Sequence, residues 1–362
     1  MKIESDHSEI LSGVRWGKTI GSPITLLIEN RDYENWFEGM SSDINAEGSI
    51  PPVTRPRPGH ADLPGAIKYD QHDIRNILER SSARETAMRV ALGAIARKFL
   101  SEFNMKIGSY VIQIGKVKAS SEFKVQSSEK ELLSLFGRVE KSLVRCPNDT
   151  ASKGMIKLID KAVKEGKSLG GIFEVFAIGV PIGLGIHVQW DRRLDGRLAR
   201  ALMSIQAIKG VEIGSGFEMS GKFGSEVMDE IFYAPPHPPL AKGGSRGGGI
   251  HGRGILGFYR KTNFAGGIEG GMTNGMPILL RAAMKPIPTQ RKPLRSVDII
   301  TKKSVEAAYE RSDVCAVPAA GIIGEAMAAL TIADAFLEKF GGDSMAETKR
   351  NYDSYIKYVR KF

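Results

Sequence analysis

Cysteine, long apolar runs and blocks of like charge are what this 362-residue chain has least of. Two cysteines, Cys146 and Cys315, can build neither a disulfide framework nor a thiolate metal cluster, and a reducing cytoplasm fits them. No uninterrupted apolar run approaches the roughly 18 residues that a membrane span needs, so no spanning segment is expected. The first residues, "MKIESDHSEILSG", are polar and acidic, unlike a secretion signal. There is no block of five or six like charges. The 51 Lys+Arg against 41 Asp+Glu leave a net charge of +10, scattered through patterned segments. That excess favours an anionic partner such as a phosphorylated metabolite, without the concentrated stripe that marks nucleic-acid binding. Also missing are GxxxxGK[ST], GxSxG, a GxGxxG that opens a helix after a strand, and His or Cys at metal-ligand spacing. Metal hydrolysis, thiol catalysis, the α/β-hydrolase fold and the Rossmann fold are thereby unsupported, and no metal site is expected.

What is present reads as one α+β domain rich in antiparallel sheet, because strands come in runs rather than in strict alternation with helices. Residues 9–29 are strand-like and broken by "GKTIGSP". A loop from about 30 to 69 exceeds the length of most structureless connections, which argues for function. From 73, the apolar positions Ile74, Ile77, Leu78, Met88, Ala91, Leu92, Ile95 and Phe99 keep helical spacing, interrupted by "RSSARET". A strand is expected over 107–117, helices over 128–144 and 153–165, glycine-punctuated β structure over 170–190, and a helix over 195–210 closed by Gly210. A loop dense in glycine and basic residues covers 235–257, and a strand follows near 277–284. The chain ends in a helix over 321–340 and a last helix to about 360, capped by Asp343 or Ser344.

Four segments combine glycine or proline with polar groups beyond what packing asks. In "VTRPRPGHADLPG", Val53 to Gly65, the prolines stiffen an extended stretch that carries Arg55 and Arg57, and Gly59 lets the chain turn before His60. It reads either as a rigid surface turn with solvated arginines or as a preorganised anion site with His60 as a proton-transfer group. In Arg80-Ser81-Ser82-Ala83-Arg84-Glu85-Thr86 the hydroxyls lie where a helix restarts, suited to an N-cap or to a phosphate. "NFAGGIEGGMTNG", 263–275, permits close backbone approach to a flat ligand, or is a tight turn between strands. "KPIPTQ", Lys285 to Gln290, accompanies "RSDVCAVPAAG", in which Asp313 beside Arg311 is an ion pair or a catalytic group. His187 lies within an apolar strand pattern as a core or edge residue, and His237 and His251 lie in the glycine loop.

Together these segments resemble the chorismate synthase family. "RPRPGHAD", "LERSSARETAMRVALGA", "GGIEGGMTNGMP", "KPIPTQ", "RSDVCAVPAAG" and "LEKFGGDS" occur in that family's order, from residue 1 to about 355. The resemblance implies a helical layer between antiparallel sheets and a cytoplasmic homotetramer, without nucleic-acid or membrane partners. It implies reduced FMN as cofactor and a 1,4-elimination of phosphate that converts 5-enolpyruvylshikimate 3-phosphate to chorismate. Arg55, Arg57 and Arg311 would meet the anionic substrate, and His60 would stabilise the reduced ring near flavin N1. Asp313 would act at N5, so that N5 can take the proton lost from substrate C6. Arg80, Ser81, Ser82, Gln206, Ala207, Gly270, Lys285, Pro286, Ile287, Pro288, Thr289 and Arg311 correspond to flavin contacts. The resemblance does not decide between reduction of the flavin by the chain itself with NADPH and an external reductant.

Two departures set further expectations. The family pattern begins roughly 45 residues earlier, with a strand and a G-[DE]-S-H-G motif whose histidine is the acid for the leaving phosphate; His7 is not its counterpart. The glycine stretch 235–254 is expected to be an insertion. A second reading therefore stands beside the enzyme: a flavin- or anion-binding subunit that keeps the fold without that histidine.

Overall fold

The computed structural model describes residues 6–81, 84–121, 129–233, 257–310 and 313–362. Ser82, Arg311, His237, His251 and the 235–254 stretch lie outside them. In chain order the strands are β1 (Ser8–Ser12), β2 (Val14–Arg15), β3 (Lys18–Thr19), β4 (Thr25–Ile28), β5 (Lys106–Ile114), β6 (Val117–Lys118), β7 (Gly171–Ile178), β8 (Ile208–Ile213), β9 (Ile231–Tyr233), β10 (Phe258–Arg260), β11 (Ile268–Glu269), β12 (Met272–Thr273), β13 (Ile278–Met284), β14 (Arg295–Val297) and β15 (Ser304–Glu306). The α-helices are α1 (Asp62–Lys68), α2 (Arg75–Ser81), α3 (Glu85–Ser101), α4 (Glu129–Lys141), α5 (Asp149–Glu165), α6 (Leu194–Met203), α7 (Gly224–Val227), α8 (Val317–Phe340) and α9 (Met345–Val359). The fold class is α+β, as expected, and every described ladder is antiparallel.

The chain divides into two compact units. Unit 1 comprises Met1–Ala91, Lys161–Ser168 and Ile287–Val314; unit 2 comprises Leu92–Asp160, Leu169–Pro286 and Cys315–Phe362. Unit 2 is built on a five-stranded sheet in the order β6-β5-β7-β13-β8. Alternation along β7 sends Phe173, Val175 and Ala177 into the main core, with residues from α3, α5, α6 and α8. Phe176 and Ile178 face the other way, against Leu132, Leu135 and Val139 of α4. Gly324 lets α8 lie close to β7, because a Cβ there would stand 2.7 Å from Phe173 Cε2. Helix α8 is the one described helix long and apolar enough to cross a membrane, and most of it is buried inside this core.

Unit 1 has a much smaller apolar cluster: Ala66, Ile74 and Ile77, with Val53, Leu78 and Ile299 packed against them. Its strands pair only in twos, β1 with β4, β2 with β3 and β14 with β15. Polar ties carry much of the rest. Ile74 N donates to Val53 O and Val53 N to Asp73 Oδ1; Ile299 N donates to Thr54 O, and Thr54 Oγ1 to Asp298 Oδ2 at 2.5 Å.

Several expected boundaries move for identifiable reasons. The helix expected over 195–210 ends at Met203; Ala207 turns with φ of 65°, and Ile208 enters β8, where pairing with β13 supplies the backbone partners. Gly210 therefore lies inside a strand. The β structure expected over 170–190 stops at Ile178, after which the chain loops, and His187 is exposed rather than in a strand. The expected loop over 30–69 contains two short 3-10 helices, Arg31–Trp36 and Ile44–Ala46, and ends in α1. Helix α5 starts at Asp149 because Asn148 Oδ1 accepts from Ala151 N. Helix α8 starts at Val317, with proline in its first turn. Of the two candidate caps of α9, Ser344 serves: its Oγ accepts from Glu347 N.

Candidate active site

The proline-stiffened stretch does form a preorganised cluster. Residues 54–56 run extended beside β14 and the segment that follows β15: Ala308 N donates to Arg55 O, and Ser296 Oγ to Pro56 O. Gly59 takes φ of 76°, a left-handed turn that a side chain would strain, and it brings the chain round so that His60 N donates to Arg57 O. Helix α1 then begins at Asp62. The extended backbone splits the two arginines: Arg55 is exposed, whereas Arg57 is buried.

Asp62, 1% exposed, is the hub of this cluster. Its Oδ2 accepts from Arg57 N and from Arg57 Nε, both at 2.9 Å. Its Oδ1 accepts from Arg57 Nη2 at 3.1 Å and lies 2.5 Å from His60 Nδ1. Arg57 Nη1 donates to Thr289 Oγ1 at 2.8 Å, so the cluster joins residues 232 positions apart within unit 1. Burial by itself would raise the Asp62 carboxyl; the hydrogen bonds from His60 and from the Arg57 side chain and backbone outweigh it and hold the group well below the usual carboxylate range.

His60 and Arg57 line a cavity of about 470 Å³. It is also lined by β14 and the turn after it, which bring Arg295, Asp298 and Lys302 to the same space. Three basic side chains and a histidine around one cavity suit a ligand with several negative charges, and the apolar walls of Leu63, Pro64 and Val297 weaken screening by solvent. Asp298 is itself pulled down to about 2, chiefly by the hydrogen bond from Thr54 and by backbone donors of its own turn.

The other expected site residues divide between the units. In unit 1, Asp313 and Thr289 line a separate small cavity of about 30 Å³, with Lys167, Ser168 and Tyr309. Arg80 is exposed at the end of α2, and Ser81 Oγ donates to Ile77 O. Ile287 accepts from Ser168 Oγ through its carbonyl. In unit 2, Ala207, which follows Gln206, meets Lys285 where the β8–β13 ladder ends, since Lys285 N donates to Ala207 O at 2.9 Å. Burial, and then the charge of Lys209, push the Lys285 ammonium below its ordinary value. Gly270 forms the β11–β12 turn with φ of 57° and open space where a Cβ would be. Among the described residues, no group of His, Cys, Asp and Glu is placed to hold a metal ion.

Sequence reasoning missed Asp62, Arg295 and Lys302. Asp62 had a signal, since it ends the "RPRPGHAD" string two residues after His60. Arg295 and Lys302 had none, because they reach the cavity only through tertiary pairing.

Comparison with known proteins places these observations in context. A family model described as chorismate synthase matches residues 1–337. A chorismate synthase of Aquifex aeolicus (strain VF5) is 55% identical over 365 residues, covering 100% of this chain and 87% of the relative. One from Geotalea uraniireducens (strain Rf4) is 55% identical over 362 residues, covering 100% of this chain and 88% of the relative. A crystal structure of chorismate synthase superposes with a TM-score of 0.76 at 46% identity, covering 99% of this chain and 86% of that one.

Proposed function

The chain belongs to the chorismate synthase family, and we propose that its buried Arg57–His60–Asp62 cluster and the cavity beside it carry the reaction. The activity is that of a phosphate-eliminating lyase of aromatic amino acid biosynthesis, in a family that uses reduced FMN. The substrate, 5-enolpyruvylshikimate 3-phosphate, loses a C6 proton and its phosphate, so it brings a phosphate and two carboxylates to be stabilised. The single observation that carries the site reading is the convergence of Arg57, His60, Arg295 and Lys302 on one 470 Å³ cavity.

The residues present fit a bound flavin mononucleotide. A phosphate brought to Lys285 would favour the charged ammonium that burial and Lys209 disfavour. The bond from Lys285 N to Ala207 O holds two of the assigned backbone strings together. By resemblance we assign Arg80, Ser81, Gln206, Ala207, Gly270, Lys285, Pro286, Ile287, Pro288 and Thr289 to its binding. Ser82 and Arg311 join them by resemblance. When bound, reduced FMN supplies electron density to the reacting carbon framework.

The chain's own residues do the positioning. Arg57 is locked by Asp62 and Thr289, so the groups it turns to the cavity need no reorganisation. Arg295 and Lys302, with Arg55 and Arg311, draw the substrate's anionic groups and set its register. His60 exchanges a proton at its cavity-facing nitrogen, and Asp313 does so from the second, smaller cavity. We further place the enzyme in the cytoplasm as a homotetramer. Its two cysteines are free thiols, and unit 2 exposes Val188, Trp190, Phe217 and Phe223, an apolar set suited to contact between copies.

Anaerobic titration of FMN with the protein, with and without substrate, followed by chorismate formation with reduced FMN supplied, tests this reading. The expected result is a spectral change that is larger for the reduced flavin and with substrate present, and chorismate formation that weakens in Arg295→Ala. No spectral change, or an Arg295→Ala variant with unaltered KM, would overturn the flavin and cavity assignments respectively.

A further inference from the structure

Asp62 does not line the cavity; it reaches the cavity only through Arg57 and His60. Its geometry nevertheless decides which nitrogen of His60 can react. With the imidazole proton on Nε2, the bare Nδ1 would face Asp62 Oδ1 at 2.5 Å, two acceptors pressed together beside a carboxylate held in its ionised form. With the proton on Nδ1, the same contact becomes a short, charge-assisted hydrogen bond. The neighbouring Arg57 Nη2, 3.1 Å from Nδ1, already has Asp62 Oδ1 as an acceptor at 3.1 Å, so it does not need Nδ1 as one. Nε2 is then the nitrogen that carries the lone pair, and its contact with Arg57 Nη2, at 3.5 Å, is the longer of the two that this guanidinium nitrogen makes to the ring.

We infer that Asp62 is a positioning residue: it holds His60 as the Nδ1–H tautomer and so makes Nε2 the proton-accepting atom of the cavity. The charged groups facing His60 are consistent with this. Arg57 and Asp62 lie on its own stretch, Arg295, Asp298 and Lys302 line the same cavity, and among the described residues the anion hydrogen-bonded to Nδ1 is Asp62. Asp62 also anchors Arg57 through three hydrogen bonds, so one carboxylate orients both functional side chains. The functional consequence rests on the proton-transfer role proposed above for His60; the tautomer is a property of the folded chain by itself.

The test is ¹⁵N NMR of imidazole-labelled full-length protein, with His60→Gln identifying the His60 signals among the six histidines. The wild type is expected to show a protonated Nδ1 and a bare Nε2 in the neutral ring. Asp62→Asn, which can turn its amide N–H toward Nδ1, is expected to shift His60 to the Nε2–H tautomer and to lower turnover about 10²- to 10⁴-fold, the contribution of a positioned acid–base group. Asp62→Glu should keep Nδ1 protonated and retain more activity. A wild-type spectrum with the proton on Nε2, or a folded Asp62→Asn protein with unchanged tautomer, overturns the inference. If Asp62→Asn does not fold, the wild-type and Asp62→Glu spectra decide. Undiminished turnover in His60→Ala would instead remove His60 from the reaction while leaving the tautomer assignment standing.

Discussion

In unit 2, Phe173, Ile278, Ile332 and Phe336 are wholly buried in a continuous core that wraps one face of a five-stranded sheet. In unit 1 the apolar cluster is three small or medium side chains, and the chain is held by two-stranded ribbons and by charged groups tied to backbone. The two regions also bury carboxylates differently. Asp62 of unit 1 is over-supplied with donors and held ionised, whereas burial pushes Glu325 of unit 2 upward against the opposing pull of Arg97, Ser109 and Arg145. Unit 2 thus resembles a scaffold that tolerates its polar groups, and unit 1 a site built from them. Preorganised charge is what stabilises an anion in the course of a reaction, so the region poorer in apolar core holds the basic cavity.

The sharpest way to break this comparison is His60→Ala. Turnover should fall about 10²- to 10⁴-fold, and Asp313→Asn should fall by a similar factor. Thermal unfolding should fall only modestly, because His60 belongs to no apolar cluster and Arg57 still donates three hydrogen bonds to the buried Asp62. Steady-state rates with reduced FMN, together with calorimetry, check both halves; a collapsed fold would mean that unit 1 depends on these groups for its structure.

Phe336→Ala is the converse experiment. It removes a ring that packs against Phe99, Phe103, Phe340 and Tyr352 and should cost about 3–5 kcal/mol of stability. Urea unfolding measures it. A cost below about 1 kcal/mol would show that the core of unit 2 collapses around the loss and is less specific than its packing implies.

Acidification should separate the two units. The folded pKa values of Asp62 and Asp298 lie below their ordinary 3.8, so their stabilising contribution is present above about pH 4 and is lost as pH falls toward about 2. Glu325 has the opposite sign. Its folded pKa lies above the ordinary 4.5, so its contribution is present below that value and fades as pH rises past it. Hydrogen exchange, corrected for the intrinsic pH effect, should therefore show protection of residues 53–62 and 295–302 falling as pH drops from about 4 toward 2 while that of α8 holds. Uniform loss would mean that the carboxylates do not distinguish the units.

The smallest effect expected is at the end of unit 2. Ser344→Ala removes the acceptor for Glu347 N and should cost about 1 kcal/mol, confined to α9. Far-UV circular dichroism and exchange within 345–359 would register it, and no change would place the capping contribution on the backbone alone.

The periodic parts were legible before the fold was known. Helical spacing over 73–103 became α2 and α3, the alternation near 107–117 became β5, and glycine after 340 marked where α8 ends. Local rules suffice for such elements, because apolar period and turn chemistry act within a few residues. The same rules misread 204–210: "SIQAIKG" continues a helical pattern, and only the ladder offered by β13 makes Ile208–Ile213 a strand. The proline-braced Arg57 and His60 were legible as a preorganised basic pair, and six separate strings pointed to the family. Which carboxylate would hold that pair, that Arg57 would turn inward while Arg55 stayed exposed, and that Arg295 and Lys302 would complete the cavity were settled only by tertiary structure. The reason is distance along the chain. A hydrogen bond such as Arg57 to Thr289 closes a loop of 232 residues and leaves no local signature, because its partners are selected by packing rather than by the residues beside them.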